Sequence, residues 1–342
     1  MNRLVGTFAA ALAAAATFAT AAPAQDTTLR WASFVSAMST NNRESVPNWI
    51  AAVEEASGGA LKVEHYAGGT LGKGPVQQLS MVENSVADIA EVVVAYTPGR
   101  FPEMSVFELP SLVENNVEAG LAAWKMYEKG ILSDFDELML AGVIMSGPYG
   151  IATNKPIPTL DDLSGLRLRA AGPIQAAMVQ ALGAVPVGNI PATQIAENIS
   201  RGLLDGTLMA PGNLYTFRIA DAAKHHLWDL KLGSVAVIFP MRRDTHAAMS
   251  DAARAGFDKY AGAWLTKELG HGLDKQEAEA IAKIRADGEH TVYTWSDDDR
   301  AKAHEALSTI VADWDKPNGN GVNLYAEVTE AIGAARADLA DD

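Results

Sequence analysis

The sequence predicts an α/β fold in two lobes, and three observations carry that prediction. Residues 165–211 run in the order strand, helix, strand, helix, aspartate, strand, ending on Asp205 and the strand after it. The same order occurs earlier in the chain, where the aspartate is Asp88. At 342 residues the chain also exceeds one ordinary core, so two domains are the default.

Taken in order, residues 1–24 carry one charge, Arg3, before an Ala-rich apolar run. Ala22-Pro23-Ala24 then has the small-x-small form of an export cleavage site, which places cleavage before Gln25. Residues 28–34 alternate as a first strand and run into a polar stretch, 36–42, a candidate ligand wall. Trp49, Ile50, Val53 and Ala56 form the stripe of a helix stopped by Gly58-Gly59. Trp31 and Trp49 are assigned to the core. A strand at 61–66 leads to a GGTLGKG segment at 68–74. It lacks the four-residue gap before Gly-Lys and the following Ser or Thr of a phosphate loop, so it reads as a turn. A short helix at 75–83 precedes a strand at 88–95, whose Val92-Val93-Val94 run suits a buried parallel strand. A helix at 117–129, a second short one near Asp134 and a strand at 139–146 follow. Residues 148–154 read as a first crossing between lobes, and Thr159 with Asp162 forms a capping box.

The segment 165–211 is the centre of the reading. Leu166 and Leu168 alternate with Arg167 and Arg169 as a short strand, and Pro173 opens a helix at the position where its missing N–H costs least. Ile174, Ala177, Met178, Ala181 and Leu182 give that helix one apolar stripe before Gly183. In open α/β sheets small ligands sit beyond the carboxyl ends of the strands, where this pattern leaves Arg169. A guanidinium there can hold a carboxylate by two parallel hydrogen bonds, although alternation alone does not choose Arg169 over Arg167.

Beyond Pro211 a helix is expected through Leu214, Phe217 and Ala220 to His226, followed by a strand at 235–239. Residues 245–287 are helical in pattern with an interruption near Gly270 and Gly272. Ser296 and Asp299 open another helix, 317–321 is a linker, and a final helix packs Tyr325, Val328 and Ile332 on one side.

Composition excludes several classes. The 42 acidic against 27 basic residues give a net charge of −15, which disfavours nucleic acid and anionic membranes. An anionic ligand would need a local positive site. The sequence contains no cysteine nucleophile and no Gly-x-Ser-x-Gly elbow. His225 and His226, adjacent on the expected helix, would point about 100° apart, against a shared metal. No cofactor is implied.

Three stretches resemble the solute-binding proteins of tripartite ATP-independent periplasmic (TRAP) transporters: Gly165-Leu166-Arg167-Leu168-Arg169, Ala181-Leu182-Gly183-Ala184-Val185-Pro186-Val187 and Gly202-Leu203-Leu204-Asp205-Gly206. The run from Tyr96 through Phe101-Pro102 to Phe107-Glu108-Leu109-Pro110 also resembles that family. The resemblance implies a two-lobed periplasmic binding protein fold with hinge strands and a long lobe-spanning helix. It assigns 25–147 and 235–274 to lobe I, 148–234 and 275–320 to lobe II, and 321–342 to a C-terminal helix. It further implies that Arg169 pairs with a ligand carboxylate and that Phe34, Tyr96, Tyr149 and Tyr215 lie in segments lining the cleft. Arg167 is expected on the opposite side of the strand, where its replacement would matter little to binding. The protein would be periplasmic and would deliver its ligand to permease subunits in the membrane.

Two departures from the family pattern bear on the ligand. Gly150-Ile151-Ala152 stands where a second arginine is common, and Met209 where an asparagine is common. A monocarboxylate with a substantial apolar part is therefore expected. An exported enzyme would need paired carboxylates or histidines near Arg169, and none is visible in this stretch. A sensor-linked binding protein would share all of these features.

Overall fold

The computed structural model describes residues 27–340. The export segment and its cleavage point before Gln25 lie outside the described residues. Three sheets organise the chain. Thr27–Ala32 is the centre of the first, flanked in parallel by Leu61–Tyr66 and Ile89–Ala90. In the second, Val235–Arg242 lies antiparallel between Val92–Val93 and Leu138–Ser146. The third has six strands in the order Thr291–Tyr293, His225–Leu227, Gly150–Thr153, Gly206–Met209, Arg167–Arg169, Val185–Val187.

Two chain crossings between the second and third sheets run side by side. Ser146 pairs with Val235 at the end of the second sheet. Beyond it the Tyr149 N–H donates to the Gly233 carbonyl at 2.7 Å, and the Leu232 N–H to the Tyr149 carbonyl at 2.8 Å. The first core centres on Trp31 and Trp49, both fully buried, as the sequence suggested. Trp31 lies 5.0 Å from both the Trp49 and Phe239 rings, and the Trp49 indole donates to the Tyr260 carbonyl.

Four expectations need correction. Residues 88–95 are not one strand: the chain leaves the first sheet after Ala90 and enters the second at Val92, so Glu91 belongs to neither. No helix forms near Asp134. The stretch to His226 breaks into short helices Asn213–Thr216 and Ile219–Ala222, and His225–Leu227 is a strand between Gly150–Thr153 and Thr291–Tyr293. Finally, helix Ala263–Ala286 runs unbroken through Gly270 and Gly272, and the helical stretch is interrupted instead at Ser250 and Gly262.

Those glycines are present for proximity rather than as breaks. A Cβ on Gly270 would come within 2.9 Å of the Val117 backbone, and one on Gly272 would overlap Asn41 Oδ1. The 24-residue helix, about 36 Å long at 1.5 Å per residue, thus packs tightly on helix Asn116–Glu128 and on the segment Asn41–Ser45. Farther along it, the Glu277 backbone would lie 3.0 Å from a Cβ on Gly212, at the end of the third sheet's strand Gly206–Met209. It therefore touches both lobes. Helix Leu324–Ala340 packs back on Asn116–Glu128, where Arg336 grips the buried Glu118 through two hydrogen bonds of 2.7 and 2.9 Å.

Candidate functional site

The carboxyl ends of the strands in both lobes face a shared cavity. Phe34 and Val35 reach it from the end of the first strand, and Arg169, Ala171 and Met209 from the six-stranded sheet. Its space for the centres of water molecules is about 60 Å³. That is several times the roughly 10–15 Å³ that holds one water, and suits a small molecule. Its walls are mostly apolar, with Val93, Ile144, Phe217, Val237, Phe239 and Leu269 among them.

Arg169 is 1% exposed, and no carboxylate forms an ion pair with it among the described residues. Its Nε donates to the Ile190 carbonyl at 2.8 Å and one Nη2 hydrogen to the Tyr96 hydroxyl at 2.9 Å. Three of its five N–H groups have no protein partner among the described residues. The Tyr96 oxygen also accepts from the Ala192 N–H at 2.9 Å, so with both lone pairs engaged its own hydrogen is left for the cavity. Nearby, burial pushes the Glu108 carboxyl up to about 8 against the pull of Arg169, and its Oε2 is buried without a partner. The acid beside Arg169 is thus neutral at pH 7, and the guanidinium charge stays uncompensated. Burial likewise raises the Tyr149 phenol, with Arg169 opposing.

Of the residues singled out from sequence, Arg169, Phe34, Tyr96, Tyr149 and Met209 line this one cavity. Tyr215 does not. It faces a neighbouring groove with Thr40 and Lys283, whose Nζ sits 3.8 Å from the Tyr215 ring centre, and Phe217 stands at the cavity wall in its stead. Ala152 is buried in the sheet opposite Thr207 and is not part of the wall. Arg167 shares a face of its strand with Arg169, being two residues away, so the separation is about 6.6 Å along the strand rather than a change of side. It is spent on Asp205, at 2.9 and 3.2 Å.

Several wall residues were not anticipated from sequence. Asn213 donates to Ser146 Oγ at 2.9 Å and accepts from Gln276 at 3.3 Å, while Gln276 accepts from the Thr40 N–H at 3.0 Å. The long helix thereby bonds to Thr40 in one lobe and to helix Asn213–Thr216 in the other through one side chain. Glu91 also lines the cavity, and Asn42 does so from the stretch 36–42 expected as a ligand wall. A lone acid inside an apolar strand-like run was the available signal for Glu91.

Two lobes whose strand ends enclose one small cavity define a solute-binding protein. The bacterial extracellular solute-binding protein family 7 (DctP) matches residues 32–317, and the chain belongs to this family. A TRAP solute-binding protein of an unidentified marine microbe, specific for aromatic acid ligands and solved with 3-hydroxybenzoate, is 28% identical. Its superposition covers 91% of this chain and 99% of that one at a TM-score of 0.84. A solute-binding protein of Albidiferax ferrireducens is 28% identical over 52% of this chain, and the match spans about half of that relative's length (53%). The C4-dicarboxylate-binding periplasmic protein DctP of Rhodobacter capsulatus is 22% identical over 98% of this chain and 99% of its own. Among the described residues no helix is long and apolar enough to cross a membrane.

Proposed function

We propose that the protein captures a small monocarboxylate with a substantial apolar part and delivers it, without chemical turnover, to the membrane subunits of a TRAP transporter. The observation that carries this reading is a buried arginine, without an anionic partner among the described residues, on the wall of a mostly apolar cavity. With Nε committed to Ile190, a carboxylate must approach end-on to the two Nη atoms. Met209 and the apolar walls suit a hydrocarbon body, and the 28%-identical relative holds an aromatic monocarboxylate. The lobes would divide as 25–147 with 235–274 and 148–234 with 275–320, the crossings at 147–149 and 232–235 serving as hinge. Ligand groups that touch both lobes would favour the closed state, since closure requires differential affinity for it.

Export with cleavage before Gln25 into the periplasm belongs to the same reading, and the intact mass of the periplasmic protein checks it. The ligand class is tested by a thermal-shift screen of benzoate, phenylacetate and pentanoate against succinate and glucuronate. The monocarboxylates should raise Tm. A polar diacid or sugar acid lacks its second charged contact, worth about 1.5–3 kcal/mol, and should bind weakly. Stabilisation by the diacids or glucuronate alone would refute the proposal.

A further inference from the structure

Arg169 enters the cavity from one lobe, and Glu91 enters it from the other. The carboxyl of Glu91 lies where the chain passes between two sheets, so its backbone position is set by strands on both sides. Behind it runs a chain of hydrogen bonds with one direction. His65 Nε2 stands 3.1 Å from Asn42 Oδ1. The Asn42 amide nitrogen donates to the Val35 and Ser36 carbonyls at 3.0 and 3.3 Å, which fixes its orientation, and to Ser33 Oγ at 3.0 Å.

Ser33 Oγ also accepts from the Val35 N–H at 3.1 Å. Both its lone pairs are then occupied, and its single hydrogen goes to Glu91 Oε2. Glu91 Oε2 is therefore held as an acceptor, and Oε1 is left for the cavity. Burial pushes this carboxyl up to about 7, the Ser33 bond opposing, and among the described residues no cation acts on it. At neutral pH the group is thus readily ionised by a donor that arrives in the cavity.

We infer that Glu91 is a specificity determinant that selects, among monocarboxylates, those carrying a hydroxyl away from the carboxylate, by accepting that hydroxyl's hydrogen at Oε1. The inference rests on the proposed capture of a carboxylate by Arg169. A hydroxyl placed there completes a carboxyl that an unsubstituted acid would leave buried and unmatched, and a site built this way discriminates against the analogue without the group.

The test is calorimetric titration of the wild type, Glu91→Gln and Glu91→Ala with two sets of probes: benzoate, 3-chlorobenzoate, 3-hydroxybenzoate and 4-hydroxybenzoate, and pentanoate with 5-hydroxypentanoate. In at least one set the wild type should prefer the hydroxylated acid by about ten- to hundredfold, as a hydrogen bond to a charged group allows. The 3-chlorobenzoate probe fills space without donating, and should gain none of this. Glu91→Ala should bring the ratio close to one. Glu91→Gln must turn its carbonyl toward Ser33 and its nitrogen toward the cavity, so it too should lose most of the preference while keeping the shape. Wild-type protein that binds the plain and hydroxylated acids equally would overturn the inference and leave the carboxylate reading standing. Retention of the preference by both variants, shown to be folded by their melting curves, would overturn it in the same way. Failure of the wild type to bind any of the six acids would overturn both.

Discussion

Thr27–Ala32 and Arg167–Arg169 are central strands of two half-sheets with one design. In each, the central strand comes first in the chain and lies parallel between the second strand and the third. In each, an arginine on the central strand clasps the aspartate that precedes the third. Arg30 meets Asp88 through its backbone N–H at 2.8 Å and its guanidinium at 3.0 and 3.2 Å. Arg167 meets Asp205 at 2.9, 2.9 and 3.2 Å. Even the register agrees, Trp31 facing Ile89 as Leu168 faces Gly206. The halves part company two residues beyond the clasp, where the first lobe has Ala32 and the second has Arg169. The clasp sets where the third strand begins, and in the second lobe the position two residues beyond it meets the cavity. One arginine of the pair Arg167 and Arg169 is therefore scaffold and the other is available to a ligand.

The strongest way to sharpen this contrast short of deleting the side chain is Arg169→Lys. A lysine keeps the charge but cannot bond Ile190, Tyr96 and both oxygens of a carboxylate in one plane. Loss of a charge-assisted bond worth about 1.5–3 kcal/mol predicts roughly ten- to hundredfold weaker binding by calorimetry. Affinity equal to the wild type would show that charge alone suffices.

A smaller effect should follow from pH. Glu108, pushed up to about 8 by burial, is protonated at pH 7 and ionises as pH rises through 8. The new anion competes with the ligand for Arg169 and repels it. The dissociation constant should rise above pH 8, by at most about tenfold per pH unit for one linked proton. Glu108→Gln should flatten that limb. A constant affinity from pH 7 to 9 would contradict the assignment.

The smallest effect belongs to the clasps. Arg167, assisted by Lys155, holds the Asp205 carboxyl well below the usual range even though burial opposes it. A depressed carboxylate contributes stability above its unfolded pKa and loses it as pH falls through the folded one. Arg30→Ala and Arg167→Ala should each lower Tm slightly at pH 7. For Arg167→Ala the difference from wild type should shrink in strong acid. A persistent difference there would mean that the arginine acts by packing.

The repeated half-sheets were legible in the sequence because two-residue alternation, glycine stops and the aspartate before each third strand are local signals. Arg169 at a strand end was legible for the same reason. What escaped the reading depends on contacts distant in sequence. Gly270 and Gly272 looked like helix breaks, yet the neighbours that require them are Val117 and Asn41. Glu91 was hidden in an apparent strand because only the pairing partners reveal that the chain changes sheets there. Phe217 reaches the cavity and Tyr215 does not because helix Asn213–Thr216 ends after one turn, which the apolar spacing through Ala220 did not show.

The central claim is that two arginines on one face of one strand are divided between scaffold and ligand by their position along it. It is tested by titrating Arg169→Ala and Arg167→Ala side by side with the acid that most stabilises the wild type. Removing Arg169 leaves the bound anion buried and unpaired, a cost of about 2–5 kcal/mol, so affinity should fall roughly thirty- to several-thousand-fold. Arg167→Ala should bind as the wild type does. Wild-type affinity in Arg169→Ala, or a greater loss in Arg167→Ala, would contradict the account.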